Sequence, residues 1–182
     1  MTSPTLRLAN PSDAYDLAEM HVSTWQVAYR GLLPDDFLDG LTVAARAERW
    51  LQILTDSLRQ VWVACEADRI VGFASLGISR DDDALPHQTG EIYGLYVHPD
   101  EWRRGIGSEL MVQALHALEL KGYAEATLWV LRGNKRARDF YEASGFVPDD
   151  AAKVDTNAAG ISFDEVRYRR RLRVPQTSEE SR

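Results

Sequence analysis

Only one cysteine, Cys65, occurs in the 182 residues, so no disulfide can form within the chain. No apolar stretch approaches the ~20 residues that a membrane-spanning helix needs. The opening MTSPTLRLANPSDAYD has neither a basic lead nor an apolar run, so no secretory signal is expected there. These absences point to a reducing, cytoplasmic setting without a membrane partner. A surplus of positive charge is missing as well. The 21 Lys and Arg stand against 28 Asp and Glu, a net of −7, which argues against a dedicated nucleic-acid binder. No metal site is expected. What is present suits a folded chain: 45% of residues are apolar and 27% are charged. The length suits one domain, expected over residues 1–174, with a polar, disordered tail at 175–182.

The charge is uneven. Residues 1–101 carry 7 basic and 16 acidic side chains, a net of −9, while residues 102–182 carry 14 and 12, a net of +2. The second half is therefore the better host for an anion. Five arginines (Arg167, Arg169, Arg170, Arg171 and Arg173) crowd one stretch near its end. Alternate strand residues face opposite ways, so the cluster reads as a charge-guarded edge strand rather than one basic patch.

Hydrophobic periodicity and turn residues order the elements. A strand is expected at 5–9. Asn10-Pro11-Ser12-Asp13 then caps a helix reaching about residue 29. A short helix follows Pro34, and Thr42 caps another over 43–57. Strands over 60–65 and 70–78 form a hairpin, and a third strand covers 91–97. An amphipathic helix over 104–121, a strand over 126–131 and a helix over 134–144 come next. Two last strands are expected at 146–147 and 161–172. This order implies one α/β (α+β) domain built on a mixed sheet with helices packed on it.

Two segments carry chemistry. In Leu95-Tyr96-Val97-His98-Pro99-Asp100-Glu101-Trp102-Arg103-Arg104-Gly105-Ile106-Gly107-Ser108 a strand turns directly into a helix. Gly105 and Gly107 remove side chains at the helix start, so backbone N–H groups can converge on a phosphate beside Arg103 and Arg104. A Walker loop is excluded because no Gly-Lys-Ser/Thr follows. A dinucleotide fingerprint is excluded because Leu110 stands where its third small residue belongs. The second segment is Asn134-Lys135-Arg136-Ala137-Arg138-Asp139-Phe140-Tyr141-Glu142-Ala143-Ser144-Gly145-Phe146. Adjacent helical residues point about 100° apart, so Phe140 and Tyr141 cannot both face one core.

Together the two segments resemble the GNAT family of N-acetyltransferases over roughly residues 5–172. The first resembles that family's R/Q-x-x-G-x-G/A pyrophosphate loop, with Trp102 departing from its first position. The second resembles its N-x-x-A-x-x-F-Y-x-x-x-G-F helix and strand. The resemblance implies a mixed, mostly antiparallel central sheet with helices on both faces, acetyl-CoA as donor and direct transfer of acetyl to an amine. It implies cofactor contacts from Leu95, Tyr96, Val97, Arg103, Arg104, Gly105, Ile106, Gly107, Ser108, Asn134 and Tyr141. Tyr141 would protonate the departing thiolate. Glu91, near the start of the third strand, would hold the amine or take its proton, with His21 and His98 as other titratable candidates. Gly94 implies a bulge in the strand. Arg136 and Arg138 would reach the 3′-phosphate or form a plain solvated face. Residues 21–34 resemble a bacterial small-molecule and polyamine-type branch. There Trp25 and Tyr29, four apart, would form an aromatic wall for the amine. The alternatives are acetylation of a protein terminus or lysine, or acetyl-CoA sensing without turnover. Family members often dimerise through their C-terminal strands, so a homodimer is also implied.

Overall fold

The computed structural model describes residues 4–85 and 87–173, so the tail expected at 175–182 lies outside the described residues. The chain opens with β1 (Thr5–Leu8) and a tight turn at Pro11–Asp13. The Asn10 side chain accepts from the Ser12 N–H at 3.0 Å, and Asp13 accepts from the Asn10 N–H at 2.8 Å. This reciprocal cap starts α1 (Ala14–Ala28). Arg7 grips Asp13 at 2.7 Å and so ties β1 to the helix start. Then follow α2 (Asp35–Asp39), α3 (Val43–Thr55), β2 (Arg59–Glu66), β3 (Arg69–Ile78) and β4 (Thr89–Val97). The chain continues through α4 (Ile106–Leu120), β5 (Glu125–Leu131), α5 (Lys135–Ala143), β6 (Val147–Thr156) and β7 (Ser162–Arg171).

The seven strands form one sheet in the order β1-β2-β3-β4-β5-β7-β6. Every pairing is antiparallel except β4 with β5, which are joined through α4 by the crossover that parallel neighbours require. Strand alternation sends apolar residues to both faces. Leu17, Ala18, Met20 and Trp50 of α1 and α3 pack on Val61, Val63 and Phe73. Ile106, Leu110, Ala114 and Leu118 of α4, with Tyr141 of α5, pack on Leu76, Ile92 and Leu128. The mixed sheet agrees with the element order, and its mostly antiparallel pairing with helices on both faces is the architecture that the family resemblance implies.

Two expectations are corrected. The strand placed at 146–147 extends through β6 to Thr156. Pro148 and the acidic pair after it mask this strand in the sequence. At a sheet edge a proline and outward polar residues are tolerated, and the register shift between Pro148 and Ala152 absorbs the irregularity. The arginine-rich strand β7 is not an edge, because it lies between β5 and β6. Arg167 and Arg169 instead form an internal ion-pair network. Arg167 reaches Asp83 at 2.6 Å, Asp149 at 2.8 Å and Asp81 at 3.1 Å. Arg169 reaches Asp149 and Glu125. A partner copy therefore has no unpaired edge of β7 to join.

Candidate active site

The site arises from a defect in pairing. Ser75 pairs with Gly94 and Leu76 with Ile92, which leaves Tyr93 as an extra residue in β4. The parallel ladder between β4 and β5 covers only Thr89–Ile92 against Glu125–Leu128. Beyond it Trp129, Val130 and Leu131 pair with β7 alone. The two strands part, and a cavity of about 630 Å³ opens between them. Leu95, Tyr96 and Val97 line one wall, and Trp129, Val130 and Leu131 line the other. Main-chain groups of β4 on this side have no β5 partner and are free to meet a ligand.

One end of the cavity is the loop Arg103–Ser108. Gly105 caps α4 with φ of 86°, and Arg103 also has a positive φ of 64°. Two left-handed residues bend the backbone at the positive end of the helix dipole, the kind of turn in which successive N–H groups can gather around an anion. A β-carbon on Gly107 would meet the Phe140 ring at 3.5 Å and Val97 at 3.7 Å, so the missing side chain lets α4 sit close on β4 and α5. Trp102, which departs from the family pattern, braces this turn. Its indole N–H donates to the Val97 carbonyl at 2.7 Å, and the Arg136 guanidinium stacks on its ring at 3.6 Å. Arg103 and Arg136 are thus the basic side chains on the cavity. Arg104 is turned away and binds Glu66 at 2.6 Å and also Glu101. Its expected ligand contact is not met through the side chain, which anchors the loop instead. Arg138 is also committed elsewhere, to the Tyr168 hydroxyl at 3.0 Å and the Arg132 carbonyl at 3.2 Å.

Asn134 caps α5 by accepting from the Ala137 N–H at 3.1 Å, and its side chain lines the cavity with Ala137, Phe140 and Tyr141. Tyr141 packs against Phe140 and Phe146, and burial pushes its hydroxyl well above the usual tyrosine range.

The other end is aromatic. The hydroxyls of Tyr29 and Tyr96 bond at 2.9 Å, and burial raises both, Tyr29 the more strongly. The Tyr29 ring belongs to the cavity wall. Trp25 stands behind it, edge-on at 4.9 Å, under the Arg46 guanidinium. The expected two-residue wall is therefore Tyr29 backed by Trp25. Gly94 is required here, because a β-carbon would lie 2.9 Å from the Tyr96 ring. Gly94→Ala is expected to displace Tyr96, break the Tyr29–Tyr96 bond and cost about 1–3 kcal/mol of stability, measured by urea denaturation.

Glu91 does not reach this cavity. Its carboxylate is buried and accepts from the Arg80 main-chain N–H at 2.9 Å and from the Arg80 guanidinium at 3.1 and 2.5 Å. The expectation that Glu91 touches the amine directly is corrected accordingly. The strand bulge at Tyr93 separates its position from the open part of the sheet, and Arg80 neutralises it. His21 is buried among Trp25, Trp50, Phe73 and Tyr96, and burial holds its pKa well below the usual imidazole value. His98 caps a turn by accepting from the Asp100 N–H at 3.3 Å. Sequence reasoning missed Tyr93, Trp129 and Glu165, all of which line the cavity. Glu165 is largely buried, and its carboxyl is raised above the usual range by that burial. Only the β5–β7 pairing, opposing Leu131 and Glu165, brings this residue to the site. Among the described residues no cluster of His, Cys, Asp and Glu is placed to hold a metal ion, and no helix is long and apolar enough to cross a membrane.

Splayed parallel strands with free main chain, closed at one end by a glycine turn on a helix N-terminus, define the architecture of an acyl-CoA-dependent transferase. The family model for the "Acetyltransferase (GNAT) family" matches residues 17–146, and the chain belongs to that family of acetyl-CoA-dependent N-acetyltransferases. It is 30% identical over 163 residues to an uncharacterized N-acetyltransferase of Bacillus subtilis, covering 89% of this chain and 90% of that one. It is 25% identical over 155 residues to a spermidine N(1)-acetyltransferase of Thermoplasma acidophilum, covering 82% of this chain and 92% of the relative. The fold is similar to the crystal structure of the PaiA N-acetyltransferase of Thermoplasma acidophilum in complex with coenzyme A. The TM-score is 0.74 at 20% identity, covering 94% of this chain and all (100%) of that one.

Proposed function

We propose that the protein acetylates a primary amine of a small, cationic molecule by direct attack on the thioester of acetyl-CoA. The observation that carries this reading is one cavity holding the glycine turn, the Tyr141 hydroxyl and an aromatic, acidic acceptor end. In this proposal the turn at Arg103–Ser108 binds the pyrophosphate, with Arg103 and Arg136 adding positive charge. Free N–H groups of β4 meet the thioester oxygen as it gains charge. The neutral amine forms the new C–N bond while the C–S bond breaks, Tyr141 protonates the leaving thiolate, and the amine's extra proton passes to water. Asn134 caps the helix that places Tyr141.

The acidic first half, with a net of −9 over residues 1–101, favours a positively charged acceptor. Release of the CoA thiol should therefore be faster with polyamines and lysine-like amines than with neutral or acidic ones at low salt. The preference should shrink as salt shortens the screening length toward ~8 Å and below. Faster acetylation of neutral or acidic amines at low salt would overturn the cationic preference.

A further inference from the structure

Across the hairpin of β6 and β7, Lys153 stands directly opposite Glu165, so both side chains share one face of the sheet. Leu131 opposes Glu165 and Trp129 opposes Arg167 on the other side of β7, which brings the Trp129 ring to the same face. The Lys153 ammonium lies 3.6 Å from the Glu165 carboxylate and 4.3 Å from the centre of the Trp129 ring. Trp129 and Glu165 both line the cavity. The structure therefore already shows an ammonium held by a carboxylate and an aromatic face at this place. It is an ammonium of the chain itself. Lys153 also has a second partner, the exposed Asp155, at 3.2 Å.

Resting on the acceptor reading above, we propose that Glu165 and Trp129 form a cation subsite that Lys153 fills in the free protein. The second ammonium of a diamine takes this place, and Lys153 retreats to Asp155. The chemistry favours the exchange. Lys153 stands beyond hydrogen-bond distance from Glu165, and a free ammonium can come closer and still face the ring. The exchange conserves charge, because one cation replaces another beside the same carboxylate and the displaced one keeps a counter-ion. A monoamine brings no second ammonium and gains nothing from this subsite. The subsite thus selects α,ω-diamines over monoamines of the same length.

The test compares putrescine with butylamine in steady-state acetylation by the full chain, as the ratio of their kcat/KM values. Glu165→Gln should lower that ratio about tenfold, the loss of one direct ion pair, chiefly through the KM for putrescine. Lys153→Met should raise it several-fold. A mere cross-strand structural pair would give lower stability and equal changes for both amines in both variants, and that pattern would overturn the subsite. If the wild-type protein acetylates neither amine, the acceptor reading fails. The subsite is then decided by calorimetric titration of putrescine into the CoA-saturated protein. Binding that weakens in Glu165→Gln and tightens in Lys153→Met supports it, and absent or unaltered binding overturns it.

Discussion

Replacing Tyr141 by phenylalanine is expected to lower turnover at least a hundredfold, the usual loss when a positioned general acid is removed, while acetyl-CoA binds as before. The ring keeps its packing against Phe140 and Phe146, at centroid distances of 5.5 and 6.2 Å, so only the hydroxyl is lost. Burial holds that hydroxyl well above the usual tyrosine range, so the native enzyme keeps its acid as pH rises. The variant must protonate the thiolate from solvent, and its deficit should widen above neutral pH. A pH–rate profile of both proteins with one amine, alongside a CoA-binding isotherm, reads both parts. Equal turnover in the two proteins would remove Tyr141 from the mechanism.

Arg167→Met is expected to destabilise the fold by about 3–5 kcal/mol, the cost of removing one partner from a buried charge cluster. The Arg167 side chain is only 7% exposed, and Asp81 and Asp149 beside it are 10% and 16% exposed. Methionine fills similar space but leaves these carboxylates facing one another, with Arg169 as the remaining neighbouring cation. Asp81 also accepts from the Trp129 indole N–H at 2.8 Å, so the same change loosens a wall of the cavity. Chemical denaturation measures the loss. The Arg167 guanidinium holds the Asp83 carboxyl below its usual range. A depressed folded value means that this contribution is present above the unfolded value of about 3.9 and is lost as pH falls through the folded one. The native protein should therefore lose stability below about pH 4, and the variant should show a shallower acid slope there. Most of Asp83 is exposed, so the large effect comes from the buried members of the cluster and the pH effect is the smaller part.

The glycine turn before α4 was legible because its requirement is local. Backbone N–H groups converge only where side chains are missing, and Gly105 and Gly107 mark such a place before a helix. The step of about 100° between Phe140 and Tyr141 did not separate them: their rings meet at 5.5 Å, both pack on one apolar cluster and both line the cavity. Glu91 was placed correctly on a strand, but its partner Arg80 lies on the loop after β3. Strand position alone could not show that the carboxylate is sequestered. The arginine run misled in the same way. Its composition suits an edge, and only the order β5-β7-β6 makes it interior.

Capping, periodicity and glycine turns act over a few neighbouring residues, so the sequence by itself determined most of the elements and the glycine turn before α4, and two motifs carried the family resemblance. The opposite end of the cavity was decided largely by the tertiary structure, with Tyr29 alone of its four residues named from the sequence. Tyr29 just after α1, Tyr93 of β4, Trp129 of β5 and Glu165 of β7 meet only because β4 bulges, parts from β5 and leaves β7 to complete the wall. Sheet order and register are long-range properties, fixed by how two apolar faces are buried at once. No local spacing records them.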